Sequence, residues 1–468
     1  MVNYSLSFEK KSFKLNKIIS SKKRNNRTFV SEKTSPDCLD TVINNDLCCG
    51  CGTCVGACPY NILDIDLSHN QNPYLVADCP ECDICNKVCP ALNVDLFAYN
   101  IKARSDIEYD NLYGRYVSFA LGHSNNSFIR ESSASGGVAT SLLEYMLETD
   151  LVNCVIIVTV ENEFPTVKII RETKEISQGM QSKYGYVPLG VAWTELRRTK
   201  ETFAFVGLPC HISGFNKTSE IYKTLQEQCK LKIGLFCGYT QKYDNIETFK
   251  KTANSLDGKF HGWREGAYPG GVHIKEASQE KLIPLQKWLP LAVPFFTMKR
   301  CLLCEDGVAE EADIVLGDSH HDGDDLNVIL VRNHHGEMIL HEAQRSGYIQ
   351  FEKISKEKAD SGTIGWVPIA KGCYPQIFNR FLRLIGKKTP NFHRKRPCSF
   401  KTLIIGFFKT SLLLLSNKYY MKWFGHSRYT GAIGWIIYNF PGSIKPTKKN
   451  WNAIKSIYKD PYSDYRKE

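Results

Sequence analysis

A chain of 468 residues, 43% of them hydrophobic and with a mean hydropathy of −0.29, can bury a substantial core, and its length fits two or three domains. Eighteen cysteines would mark a disulfide scaffold in a small secreted protein, but residues 1–30 show no apolar core of the kind a secretory signal carries, and no uninterrupted apolar run reaches the roughly 18 residues that span a bilayer. A reducing, cytoplasmic setting is therefore expected. The net charge of +11 is uneven: about +7 over residues 1–34 and about +16 over 376–468, which leaves the middle near −12. That asymmetry concerns partners rather than fold.

Residues 1–37 are rich in Lys, Ser and Asn and read as a basic N-terminal extension. Residues 38–100 form the first module. They contain two runs that fit C-x2-C-x2-C-x3-C-P without a gap: Cys48, Cys51, Cys54, Cys58 and Pro59, then Cys79, Cys82, Cys85, Cys89 and Pro90. This is the spacing of bacterial two-cluster ferredoxins, in which the fourth cysteine of each run ligates the other run's cluster. Three thiolates two residues apart let one tight loop wrap three corners of a 4Fe–4S cubane. The expected ligand sets are Cys48, Cys51, Cys54 and Cys89 for one cluster, and Cys79, Cys82, Cys85 and Cys58 for the other. Gly50, Gly52 and Gly56 keep the first loop small, so that backbone amides can approach the cluster. The alternating stretches Ile62–Leu67 and Leu92–Leu96 that follow each run predict short strands and complete an internal repeat. A pair of four-cysteine zinc sites is the alternative, but such modules lack the third regularly spaced cysteine and the C-P ending. Cys49 falls outside the pattern and is expected to be a spare thiol.

Residues 101–375 alternate strand and helix patterns, which predicts a mixed α/β domain with a largely buried sheet. Ser133-Ala-Ser135-Gly136-Gly137 reads as a loop feeding a helix, with Ser133 and Ser135 as N-cap candidates. A Gly-Gly at a helix start can also hold a phosphate on free amides, although a plain cap explains it equally. Strands are predicted over Val152–Val160, Phe203–Gly207, Lys232–Cys237, Ala312–Asp318 and Val328–Val331. Cys210, Cys237 and the Cys301/Cys304 pair sit at or near strand ends, where functional residues of such sheets gather. They are candidates for a third 4Fe–4S site; ordinary buried thiols are the alternative.

The order of these motifs resembles the beta subunit family of coenzyme F-420 hydrogenase/dehydrogenase, over roughly residues 45–340. The motifs are the ferredoxin run, S-G-G-x-x-T (Ser135 to Thr140), Gln181-Ser182-Lys183-Tyr184, V-G-x-P-C (Val206 to Cys210), Gly234 to Cys237, Cys301/Cys304 and A-D-x-x-x-G-D (Ala312 to Asp318). The resemblance implies FAD near Ser135, Gly136, Gly137, Thr140, Ser182, Lys183 and Tyr184. It also implies a cluster on Cys210, Cys237, Cys301 and Cys304. The chain departs from the family pattern at His211, where a Gln is usual, at Ser319-His320-His321, where an aromatic is usual, and near Asn327. His320 and His321 are candidate proton donors, because imidazole titrates near pH 6.5. A solvated loop beside Asp322–Asp325 is the alternative.

Residues 376–468 mix basic clusters (Lys387-Lys388, Lys448-Lys449) with apolar runs. They read as a basic, helical C-terminal extension. It either packs on the α/β domain or touches a membrane surface, which would make the protein peripheral at the inner membrane face. No nucleic-acid motif accompanies the charge. The expected function is that of an iron–sulfur flavoprotein oxidoreductase. It would take electrons from a ferredoxin-like donor or redox partner protein and reduce an unidentified small molecule, or exchange hydride with coenzyme F-420. A non-catalytic electron-transfer subunit is the alternative.

Overall fold

The structure is a computed structural model. It describes residues 37–67, 72–96, 107–265, 270–276, 279–319, 325–361, 366–393 and 397–423, with residues 434, 437 and 438. All of them belong to one compact unit that begins at Ser35. The basic N-terminal extension, His320 and His321 lie outside the described residues.

The ferredoxin-type repeat is visible in the backbone. The helices Thr53–Ala57 and Ile84–Val88 follow residues in the left-handed region, Gly52 (φ 73°) and Asp83 (φ 60°). Both end on a cysteine in extended conformation, Cys58 and Cys89, with ψ of 117° and 119°. The repeat does not extend to the predicted strands. Leu63–Ile65 pairs antiparallel with Pro73–Leu75, and that edge is then filled. Residues 92–96 make no such strand. Val94 donates to the Asn391 carbonyl and Asn391 to that of Leu92, while Val94 and Leu96 pack on Phe392.

The centre of the molecule is an eight-stranded sheet. Its strands run in the order Ile349–Ile354, Ser118–Ser124, Asn327–Val331, Ile314–Asp318, Cys229–Leu235, Phe203–Gly207, Cys154–Glu161 and Phe164–Ile170. The four from Ile314–Asp318 to Cys154–Glu161 are parallel neighbours, and the flanking pairs are antiparallel. Alternate residues feed two cores. Phe203, Phe205, Val315 and Leu330 join Trp193 and Phe215 on one face. Ala204, Ile314, Leu316 and Ile329 join Leu142, Met146 and Leu340 on the other. Burial on both faces accounts for the near-continuous apolar runs of these strands.

A second sheet was not expected from the sequence. Lys259–Glu265, Gly271–Glu276 and Gln279–Pro284 form an antiparallel three-stranded layer. It encloses its own core of Phe249, Trp263, Trp288 and Ile274. Beyond the large sheet, the helices Tyr374–Leu384 and Phe400–Trp423 pack together through Phe378, Phe381 and Phe407. Cys373 and Cys398, which no motif singles out, are joined in a disulfide across this pair.

Candidate metal centres

The two expected ligand sets line two adjacent hollows. Cys48, Cys51, Cys54 and Cys89 share one with Leu39 and Val42. Cys58, Cys79, Cys82 and Cys85 share the other with Leu63 and Leu75. Cys85 touches both. In each run an amide points at the first sulfur: Gly50 N to Cys48 Sγ and Glu81 N to Cys79 Sγ, both 3.4 Å. Burial raises the Cys54 thiol well above its ordinary range, and the neighbouring Cys89, Cys48 and Cys85 raise it further. Burial likewise pushes Cys85 up to about 11. Thiols crowded in an apolar hollow deprotonate only when a cation shares the site, which suits iron ligation. Among the described residues, no three His, Cys, Asp or Glu side chains are grouped as for a single metal ion.

The body holds this module by its backbone. Gly190 N donates to the Cys51 carbonyl (2.8 Å), and Tyr222 Oη to that of Ala57 (2.8 Å). Arg197 donates to Cys58 O (2.9 Å), and Arg300 to Ala91 O (2.7 Å) and Pro90 O (2.9 Å). A side chain on Gly56 would begin 1.7 Å from the Gly190 carbonyl oxygen, so the two backbones touch. The small residues of the cysteine loop therefore serve its seat on the body as well as the approach of amides to sulfur.

Five further cysteines extend from the first hollow into the body. Cys49 is buried and hydrogen-bonds with both Cys51 and Cys210. Cys210 is within electrostatic reach of Cys237, and Cys237 of Cys301 and Cys304. Burial pushes Cys237 up to about 12, against the pull of Lys371. Two buried cations adjoin these thiols. Lys371 donates to the Cys301 carbonyl (2.6 Å), and Arg300 acts on Cys304, Cys49 and Cys210. His211 orients the turn that carries Cys210. Leu208 N donates to its Nδ1 (3.1 Å), so Nε2 carries the proton and donates to the Val187 carbonyl (2.8 Å). Burial lowers its pKa to about 4, which keeps it neutral.

Two of the segments expected near a flavin meet at one arginine. Arg264, 1% exposed, reaches Asp318 Oδ2 (2.5 Å) and the Ala134 carbonyl (2.5 Å), and it hydrogen-bonds with Tyr184. It thereby ties the end of the strand Ile314–Asp318 to both the Ser135 loop and the Gln181–Tyr184 segment. Gln181 Nε2 donates to the Ser132 carbonyl (2.5 Å), and its Oε1 is buried without a partner. Tyr184 packs edge-on against Trp288 (5.2 Å) and is within electrostatic reach of Cys237. Thr140 lies in the first turn of the helix Val138–Glu148, which Gly137 caps in the left-handed region. Ser133 and Ser135 do not cap that helix as expected. The left-handed turn at Gly137 carries Ser135 against the Leu326 carbonyl (2.8 Å), and Asn327 Oδ1 accepts from Val138 N (3.1 Å) instead. Ser182 adjoins Lys183, whose ammonium engages the carbonyls of Gly179, Met180 and Gln181. Sequence reading missed Arg264 and the place of Cys49, and it marked the neighbourhood of Asn327 only as a departure from the family pattern. Cys49 left a signal as a cysteine inside the C-x2-C spacing, and Arg264 left none.

A duplicated cysteine module seated on a sheet with a parallel centre, with further buried thiols beyond it, marks an iron–sulfur protein. The chain belongs to the coenzyme F-420 hydrogenase/dehydrogenase beta subunit family. Residues 119–192 match its N-terminal part, 200–357 its C-terminal part, and 40–107 a 4Fe–4S dicluster domain. Among curated proteins the chain is 26% identical over 337 residues to a coenzyme F-420-dependent sulfite reductase of Methanocaldococcus jannaschii, covering 68% of this chain and 49% of that one. It thus spans about half the length of that relative. It is 22% identical over 258 residues to the coenzyme F-420 hydrogenase subunit beta of Methanothermobacter thermautotrophicus, covering 54% of this chain and 89% of that one. A chain of the F-420-reducing [NiFe] hydrogenase complex from Methanosarcina barkeri superposes with a TM-score of 0.47 at 20% identity, covering 61% of this chain and 99% of that one.

Proposed function

We propose that the protein is an iron–sulfur flavoenzyme. It would pass electrons between two ferredoxin-type 4Fe–4S clusters, a third cluster and FAD, and so reduce an organic substrate or exchange hydride with coenzyme F-420. The observation that carries this reading is the series from the first hollow through Cys51, Cys49 and Cys210, joined by hydrogen bonds, with Cys237 within electrostatic reach of both Cys210 and Tyr184. Cys48, Cys51, Cys54 and Cys89 would hold one cluster, and Cys58, Cys79, Cys82 and Cys85 the second. Cys210, Cys237, Cys301 and Cys304 would hold the third. The buried cations Arg300 and Lys371 support that last assignment, because four thiolates around iron carry net negative charge.

A flavin supplies the exchange between one-electron and two-electron chemistry. The residues present suit one. The first turn of the helix Val138–Glu148 offers amides to a phosphate, the buried Gln181 Oε1 lacks a partner, and Arg264 fixes the three segments that would surround it. Tyr184, braced by Trp288, is within electrostatic reach of Cys237. The relatives that are hydrogenase subunits favour a protein redox partner for this chain as well.

The test is anaerobic purification followed by assay of iron, acid-labile sulfide and released flavin. About twelve irons and about one flavin per chain are expected for three cubanes and one FAD. About eight irons, with no flavin even after reconstitution, would sink the reading and leave the ferredoxin module alone. Flavin that is bleached by reduced viologen but reoxidised only by a protein would make the chain an electron-transfer subunit.

A further inference from the structure

We propose that the face formed by the helices Tyr374–Leu384 and Phe400–Trp423 docks on the surface of an anionic lipid bilayer. Phe400–Tyr419 is the one helix among the described residues long and apolar enough to cross a membrane, yet only 22% of that window is buried. A helix that is apolar all round needs cover on every side. The body covers one side. Leu413 packs with Phe295 and Phe296, Gly406 lies against Tyr374, and Asn417 Nδ2 donates to the Thr297 carbonyl.

The other side is bare. Phe400, Ile404, Phe408 and Leu415 are 76%, 39%, 59% and 55% exposed. At 100° per residue they fall within one arc of about 80°, a stripe about 22 Å long. Leu384 (86%) and Ile385 (54%) extend it from the end of the neighbouring helix. Because the covered side is fastened to the body at both ends, the helix lies on a bilayer rather than crossing it.

Charge decides the occupant. Residues 361–459 contain eighteen Lys and Arg and no Asp or Glu. Arg380, Lys387, Lys388, Lys401 and Lys418 are exposed beside the apolar tips. Lysine is depleted in the cores of protein interfaces. Cations around inserted aromatic and aliphatic tips match anionic headgroups, each contributing attraction that decays within a Debye length.

The test uses the full-length protein, purified anaerobically, in sedimentation with phosphatidylcholine vesicles with and without phosphatidylglycerol. The protein should co-sediment with the phosphatidylglycerol vesicles and be released by high salt. The variant F400S/I404S/F408S should stay in solution with its visible absorption unchanged. K387Q/K388Q, which touches only exposed side chains, should bind about 30-fold more weakly, the factor expected for losing two surface cations. Absence of wild-type sedimentation with the anionic vesicles would overturn the proposal. So would equal binding to both vesicle types, or a dimer in light scattering that the serine variant splits, since the face would then join two copies of the chain.

Discussion

Replacing Arg264 by Met tests whether one buried guanidinium assembles the proposed flavin cradle. Its head is 1% exposed and Asp318 is 21% exposed at the side chain. R264M leaves the Asp318 carboxylate without this partner and strips a donor from the Ala134 carbonyl. Breaking a fully buried ion pair from one side costs about 3–5 kcal/mol. The fifth of Asp318 that meets water brings this to about 2.5–4 kcal/mol, and the lost carbonyl bond adds about 1 kcal/mol, so about 3 kcal/mol is the lower end. Those contacts are what hold the Ser135 loop and the Gln181–Tyr184 segment at the end of the strand Ile314–Asp318. Loss of about 3 kcal/mol from the cradle should weaken flavin binding on the order of 100-fold. R264K keeps the charge but cannot reach both oxygens with one ammonium, so it should fall between. The assay is flavin retained through anaerobic gel filtration, read beside the thermal transition and the iron content. R264M that keeps its flavin at wild-type affinity and melts with the wild type would refute the assignment.

Two further perturbations separate other parts of the argument. In G190A the new Cβ would lie 2.4 Å from Thr53 N and 2.5 Å from its Cα, both backbone atoms. The cysteine module should be pushed off its seat at a cost of about 1–3 kcal/mol or more, so that iron is retained while limited proteolysis of the protein becomes faster; unchanged cleavage would mean that the glycine contact does not hold the module. In E311Q the pH dependence is the readout. Burial raises the Glu311 carboxyl from 4.5 to about 7 against the hydrogen bond from Ser213. The folded state therefore holds a proton that the unfolded chain releases. Stability from this group is full below about pH 4.5 and falls until about pH 7, by up to about 3 kcal/mol. E311Q should melt above the wild type at pH 8 and near it at pH 4.5, and identical pH profiles would show that the carboxyl is not so perturbed.

What was legible in the sequence depended on how far its cause reached along the chain. The cysteine runs were legible because cluster geometry demands short fixed spacings, and the exchange of fourth cysteines follows from the same demand. The parallel strands were legible because burial on both faces leaves an apolar run such as Cys154–Glu161. The three-stranded layer was not, because Gln279–Pro284 and Lys259–Glu265 are half polar and their register depends on partners across the layer. Arg264 was invisible for the same reason. It is one arginine in a polar strand, and its partners lie 54 and 130 residues away. Residues 92–96 show the converse error. Their alternation is genuine, but a sequence pattern does not say which edge is free, and Pro73–Leu75 already fills the one beside Leu63–Ile65.

Cys49 shows how chemistry and packing meet. Its contact with Cys210 exists only because the module is seated backbone to backbone on the 186–190 loop and packs the Thr53 side chain on the helix Pro209–Ile221. Gly214 of that helix has no room for a side chain beside Thr53, and Gly190 none beside the Thr53 backbone. These contacts fix the distance between the first thiol hollow and Cys210 at that of two side chains in contact. A module on a flexible tether would sample many distances, most too long for rapid electron exchange. Donors from the body then land on carbonyls at or beside the proposed cluster cysteines: Arg300 on Pro90 and Ala91, and Arg197 on Cys58. The same bonds that hold the module put positive charge where reduction would add an electron, which favours the reduced state of a bound cluster. Attachment and electrostatic tuning are thus one set of interactions.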